Sequence, residues 1–422
     1  MRPTPSSSGL QTLRKAPLRA NPRYELIPFD HLPPQEQELL GSLRGAPGFF
    51  GLLRPRAGEA GLGVKSVCRD TALLFYALQR PGSLPSYLHE SLDAEEGSGL
   101  AELVLDGVLE IAAGGGFVSG VDAHPLLYGA APETAGNAEP PERIARLSIA
   151  ALRYGERLET GDAAELSHRL YTYNRLPVSP GWKRRLATRG ELVDFLGVGR
   201  GSRTRQRLDR SWRRGEPAGP EDPWLTWTPR DGVPRGTGWK LYLSPLPEHL
   251  PAAVAAVAAL AAVAGGAGTT SRHRPAAFKV GADLGGILRP DKLVLYFDRF
   301  DALSETAAAL RRELAGCPAQ GVPFSAGLDD DGLLSWGTDP PRDERTVPWL
   351  QRESWRLRIT NRLAVALLAA RDGGRDSVRD SVRDGGSRTV EPWRFALERL
   401  RLEGVDTATW TPAPGTWQGP AA

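Results

Sequence analysis

The chain has 422 residues, room for two or three domains at about 150 residues each. Its 53 basic and 50 acidic residues leave a formal charge of +3, too little to mark a dedicated nucleic-acid binder, so partners are sought through local sites. Cys68 and Cys317 lie far apart without Cys or His at ligand spacing, which excludes a disulfide framework or zinc site and fits a reducing cytoplasm.

Residues 1–21 are rich in Ser, Pro and Arg without periodicity and read as a disordered arm. No apolar core of signal-peptide length occurs there, and the most apolar run, LPAAVAAVAALAAVAGGAG, is too short to span a bilayer. A cytoplasmic protein with no membrane partner is expected. Residues 22–125 give strands at GFFGLLRP and VKSVCRD, helices at TALLFYALQR, SYLHESL and GLAELVLDGVLEI, and a closing strand at GGFVSG, a winged-helix-like order. Residues 126–235 are helical and Arg-rich, contain the aperiodic YTYNRLPVSPGWKRRL, and end in RGSRTRQRLDRSWRRGEPAGPEDP, which reads as a basic linker. All eleven tryptophans fall from Trp182 onward, which predicts different cores for the two halves.

Between 236 and 370 the periods sharpen. KLYLS alternates as a strand, PEHLPAAVAAVAALAAVA is a helix, AAFKVG and DKLVLYF are strands, FDALSETAAALRRELAG is a helix, and VPFSAGL and GLLSWG are strands. This order predicts a split βαβ unit, an antiparallel sheet with helices on one face, and an α+β class for the whole. TNRLAVALLAAR adds a helix. Residues 371–422 read as a low-complexity RDSV loop, a helix at PWRFALERLRLEG and a tail.

Several motifs are set aside. In GEAGLGVKS, Val64 separates the Gly from the Lys and breaks the phosphate-loop pattern; GVGRGS, residues 197–202, follows a helix and is a turn. The six histidines lack paired spacing, His273 reads as a loop residue, and no Ser sits in G-x-S-x-G. No metal or cofactor is implied.

Only six of the basic residues are Lys, and three of those, Lys240, Lys279 and Lys292, fall between 240 and 292. Lys can lose its proton when buried or flanked by cations, whereas Arg cannot, so Lys is the residue for a base. Lys240 and Tyr242 are two apart on a strand and share a face; Lys279 follows Phe278 on the next; Arg289, Lys292 and Tyr296 lie on or before the third. Such a cation cluster repels itself unless an anion joins it or one Lys becomes neutral, which suggests a phosphate site with a neutral Lys as base.

WKLYLS, then FKVG, then RPDKLVLYF resemble the phosphoserine/phosphothreonine lyase domains of class III lanthipeptide synthetases, the type III effector phosphothreonine lyases, and the Hop-type effector-like lyases of class V lanthipeptide and thioamitide pathways. The resemblance covers roughly residues 236–370. It implies elimination of phosphate from phospho-Ser or phospho-Thr to leave dehydroalanine or dehydrobutyrine. Lys279 would take the Cα proton and Lys240 would stabilise the enolate-like charge; Arg289, Lys292 and Tyr296 would hold the phosphate, with Arg356 or Arg358 completing the clamp. The family carries a His two residues after the Lys of W-K-x-x as general acid. Here that position is Tyr242, a phenol that stays protonated at neutral pH but donates less readily than an imidazolium.

TALLFYALQRPGSLPSYLHESL, GLAELVLDGVLEI and GGFVSG resemble the element that captures leader peptides in ribosomal-peptide-modifying enzymes, which adds the leader as a strand at a sheet edge. The two resemblances imply a phosphorylated precursor peptide as substrate, with a separate kinase and a cyclase as partners and no nucleic acid. No H-R-D with D-F-G kinase signature occurs in the sequence. Two further readings stand beside this one: a non-catalytic subunit that binds phosphopeptide or leader peptide, and a winged-helix nucleic-acid binder, motivated by the Arg-rich residues 199–214.

Overall fold

The computed structural model describes residues 5–41, 48–57, 59, 64–85, 88, 94–129, 142–216, 219, 222–230, 238–263, 275–339, 353–380 and 391–412. In the N-terminal part, six short strands form two antiparallel three-stranded sheets. β1 (Leu18–Ala20), β5 (Leu109–Ala113) and β6 (Gly116–Val118) make one; β2 (Tyr24–Pro28), β3 (Phe49–Pro55) and β4 (Lys65–Cys68) make the other. The helices Arg69–Ala77 and Ala94–Leu105 lie between them in sequence. The β5–β6 hairpin turns through Gly114 and Gly115 at φ +58° and +86°, where a side chain is strained.

Two expectations for this region change. The arm expected to be disordered forms a helix, Ser7–Lys15, because Ser6 caps it (Oγ accepts from the Gly9 amide at 3.0 Å) and Leu13, then Leu18 of β1, are fully buried. GLAELVLDGVLEI is not one helix. It stops at Leu105, turns at Gly107 with φ +68°, and continues as β5. In GEAGLGVKS, Lys65 and Ser66 belong to β4, while Gly58 and residues 60–63, like His273, lie outside the described residues.

The larger sheet has seven antiparallel strands in the order β12-β13-β9-β11-β10-β8-β7. These are β7 (Trp212–Arg214), β8 (Trp224–Pro229), β9 (Trp239–Leu243), β10 (Ala277–Gly281), β11 (Leu293–Phe297), β12 (Ala326–Gly327) and β13 (Leu334–Thr338). Alternation sends Leu225, Trp227, Leu241, Leu243, Phe278, Val280, Leu293, Leu295 and Phe297 to one face. The helices Arg203–Ser211, Leu250–Val263 and Phe300–Glu313 pack there. The helix Leu250–Val263 is apolar all round and Ala-rich, so it forms readily and tolerates burial on most sides.

The segment read as a basic linker is part of this fold. Ser202 caps the helix Arg203–Ser211, and β7 and β8 extend the sheet, so it begins at Trp212 and not at 236. What made the segment look like a linker is its polar outer side; Leu208, Trp212 and Trp227 on the inner side are fully buried. The expectation of helices on one face also fails. On the face opposite, Tyr171 of the helix Ala163–Tyr171 and Arg356 of the helix Trp355–Asp380 both reach Asp291, just before β11.

The cores do not divide as the tryptophans predicted. Trp355, Trp393 and Trp410 belong to the core of the N-terminal half, because the helices Trp355–Asp380 and Pro392–Leu402 fold back onto it. Arg399 pairs with Asp106 at 2.6 Å across that contact. Where a loop was expected from residue 371, the helix runs on through the first RDSV to Asp380.

Trp227 stacks on Phe278 with centroids 5.0 Å apart and planes 10° apart, directly behind the strand that carries Lys279. Trp227→Ala is expected to lower stability by about 3–5 kcal/mol, read from urea unfolding at equilibrium.

Candidate functional site

The sheet face away from the second core carries the polar alternates of the same strands. Pairing sets Lys279 opposite Thr226 and Val294, and Val294 opposite Tyr242. The adjacent row sets Ala277 opposite Tyr296, Tyr296 opposite Lys240, and Lys240 opposite Gly337. Lys240, Tyr242, Lys279 and Tyr296 therefore share one surface, as the alternation predicted.

The Tyr296 ring lies between the two lysines, its centroid 5.8 Å from Lys240 Nζ and 5.7 Å from Lys279 Nζ. Lys279 Nζ also sits 4.0 Å over the Trp224 indole, which Arg289 approaches at 5.2 Å. Burial, assisted by the charges of Lys240 and Arg289 and opposed by Asp291, pulls the Lys279 ammonium down to about 8. A lysine at that value is still mostly charged near pH 7 but keeps roughly a tenth of its population as free amine, far more than an ordinary lysine, and can act as a base.

Beside the lysines is a buried carboxylate. Asp291 is 5 % exposed and accepts from Arg289 Nε at 2.8 Å and Nη2 at 2.9 Å, Arg356 Nη1 at 3.1 Å, and the Tyr171 hydroxyl at 3.1 Å. Burial alone would raise its carboxyl, but the Arg356 and Arg289 guanidiniums overcome that and hold it well below the usual range. A second carboxylate, Asp339, pairs with Lys240 Nζ. The cation cluster thus has counter-charges of its own, a feature the lysine pattern did not reveal.

Three expected phosphate ligands sit elsewhere. Lys292 has no exposed surface; its Nζ donates to the Pro245 carbonyl at 2.7 Å and to Gln320 Oε1, and burial pulls its ammonium down to about 7. It is a strut beneath the site. Arg356 is 1 % exposed, and donates to the carbonyls of Pro323 and Tyr171, each at 2.9 Å, as well as to Asp291. Arg358, two helical residues on, points away from Arg356 and lies 3.9 Å from Glu353. Arg289 keeps the expected position: its side chain is 27 % exposed and commits two of its five donors to Asp291.

Tyr242 is 4 % exposed and packs with Val294 and Val322 beneath the lysine-bearing surface. Glycine at 337 eases this packing, since a Cβ there would meet the Tyr242 ring at 3.3 Å, a tight contact. Burial raises the phenols of Tyr242 and Tyr296, with Asp339 assisting at Tyr296, so both stay protonated.

Sequence reasoning missed Trp224, Asp291, Tyr171 and Asp339. Trp224 stood in the alternating WLTWT, and Asp291 stood in RPDK between two cations. Tyr171 and Asp339 had no local signal, because their roles depend on contacts 120 and 99 residues away. Among the described residues no His, Cys, Asp and Glu cluster has metal-ligand geometry.

No family model and no curated protein matches the chain. Among solved structures, the effector protein from Pseudomonas syringae pv. tomato strain DC3000 aligns over 65% of this chain and 99% of its own, at 12% identity and a TM-score of 0.37. The effector from Pseudomonas syringae pv. syringae strain 61 aligns over 64% and 99%, at 11% identity and 0.36. The Chromobacterium violaceum VirA (SpvC) phosphothreonine lyase effector protein aligns over 50% and 97%, at 14% identity and 0.26. These are loose likenesses, and the chemistry of the site rests on the side chains described above.

Proposed function

We propose that this protein is a phospho-Ser/Thr lyase acting on a precursor peptide of lanthipeptide-like biosynthesis. The observation that carries the reading is Lys279, a lysine pulled down to about 8 between the Trp224 and Tyr296 rings, with Lys240 and Arg289, each held by its own carboxylate, beside it. The surface around it attracts a phosphate dianion, and such a lysine removes a weakly acidic proton. In the proposed step the Lys279 amine takes the Cα proton, the Cα–Cβ double bond forms, and the Cβ–O bond breaks to release phosphate. Lys240 stabilises the charge growing on the substrate carbonyl oxygen, and Arg289 binds the phosphate. The bridging oxygen takes its proton from Tyr242, which burial keeps protonated. Nothing in this step calls for a metal or a nucleotide.

The N-terminal part fits capture of the leader. β4 pairs only with β3 among the described residues, so its outer edge can take an added strand. On the adjoining helix Arg69–Ala77, Leu73 is 61 % and Tyr76 49 % exposed, an apolar flank for that strand. In this reading the peptide is phosphorylated in the cytoplasm by a separate kinase and passes to a cyclase after elimination.

One observation favours a second reading. Tyr242 is buried at the position where the resembled lyases carry an imidazole acid, and a site without an effective acid would bind phosphopeptide without converting it.

Incubation of a phosphothreonine precursor peptide with the protein, with chelator and without nucleotide, is expected to remove one phosphoric acid per phosphorylated residue by intact mass. Unchanged mass with the peptide still bound would establish the binding subunit instead. Lys279→Ala is expected to slow elimination by about 10²–10⁴-fold. Because the free base is the active form, kcat/KM should climb about tenfold per pH unit on the acid side and level off above about 8. A profile flat between pH 6 and 9 would remove Lys279 from the proton transfer.

A further inference from the structure

A groove of about 660 Å³ opens where β8 begins and β10 ends. One wall runs from Lys183 to Arg189 and the other is formed by Asp222, Ala282, Asp283 and the start of the helix Leu284–Ile287. The first wall belongs to the stretch after Tyr171 that showed no period in the sequence, and the elimination chemistry does not use it.

That wall is built to hold its shape. Ser179 caps its first short helix through the Trp182 amide at 3.2 Å, and Thr188 and Glu191 form a reciprocal capping box on the second. Trp182 meets Phe195 edge-on at 5.8 Å, and Arg185 lies 4.7 Å over the Phe195 ring. Arg189 ties the wall to the sheet through the carbonyls of Asp222 at 3.2 Å and Trp224 at 3.5 Å, and the Leu176 amide donates to the Leu288 carbonyl at 3.0 Å.

The groove lies beside the lysine-bearing surface, with Trp224 between them. Trp224, whose carbonyl Arg189 holds, places its indole under the Lys279 ammonium, and Asp222 acts on the charge of that same lysine. The lining also says what fits. Lys183 and Arg189 face Asp222 and Asp283, with Leu186 and Leu284 among them. Both signs of charge together with apolar patches suit a peptide main chain with varied side chains better than a lone anion or an apolar small molecule. The volume falls within the roughly 300–1,000 Å³ of sites that enclose a ligand of several groups.

We infer that this groove receives the residues of the substrate peptide that flank the phosphorylated residue; the inference rests on the lyase reading above. Ala187 and Lys183 line the groove with exposed side chains, outside the catalytic constellation, so Ala187→Trp and Lys183→Trp fill it from its rigid wall. Elimination is measured on a long phosphothreonine peptide and on N-acetyl phosphothreonine N-methylamide, which has no flanking residues to enter the groove. The expected result is a KM raised about tenfold for the long peptide in either variant, with kcat/KM for the blocked amino acid unchanged. Equal kinetics of variants and wild type on the long peptide, or equal losses on both substrates, would overturn the inference. If wild type converts neither substrate, the lyase reading fails and takes this inference with it; if wild type converts both and the variants convert both equally well, only the groove assignment fails.

Discussion

The Asp291 carboxylate is the point on which the site depends. Removing a carboxylate from water costs several kcal/mol unless its charge and hydrogen-bonding capacity are met, and here Arg289, Arg356 and Tyr171 meet them together. Those partners come from the approach to β11 and from the helices Trp355–Asp380 and Ala163–Tyr171, which belong to the other core. One buried charge therefore fixes the docking of the helices Ala163–Tyr171 and Trp355–Asp380 onto the lysine-bearing face of the sheet. It also holds Arg289 beside Trp224, facing the lysine.

The two depressed lysines illustrate how burial yields different chemistry from the same residue. Lys292 is fully enclosed and both hydrogen-bond partners are protein oxygens, Pro245 and Gln320, so its nitrogen is occupied. Gln320 in turn donates to the carbonyls of Asn174 at 2.6 Å and Leu288 at 3.1 Å, so this lysine binds the stretch after Tyr171 to the sheet. Among the described residues no carboxylate pairs with the Lys279 nitrogen; its close neighbours are the faces of Trp224 and Tyr296, which stabilise a cation without neutralising it. Desolvation then wins over the more distant Asp291 and Asp222, and the nitrogen is left able to give up and take a proton.

Much of this was legible because strands have a period of two and this chain uses Lys sparingly. Alternation placed Lys240, Tyr242, Lys279 and Tyr296 on one face, and the strand register agrees. The same rule misled for Lys292: it shares that face by parity, but it precedes β11 and its side chain turns to the Pro245 and Gln320 loops. The polar segment before β8 looked like a linker since Arg203–Ser211 shows solvent mostly charge, and only the buried Leu208 and Trp212 give it away. Arg356 was named for the right neighbourhood and the wrong task. Whether a guanidinium faces solvent or a buried carboxylate is decided by tertiary packing, which local pattern does not carry.

The account stands on the proton affinity of Lys279, and the scarcity of lysine makes that measurable. With ¹³C-labelled lysine only six side-chain signals arise, and Lys279→Arg and Lys292→Arg assign two of them by their disappearance. The account predicts that the Lys279 signal titrates near 8 in the free protein, with Lys292 near 7. A Lys279 signal that titrates at the ordinary lysine value of about 10.4 would contradict it.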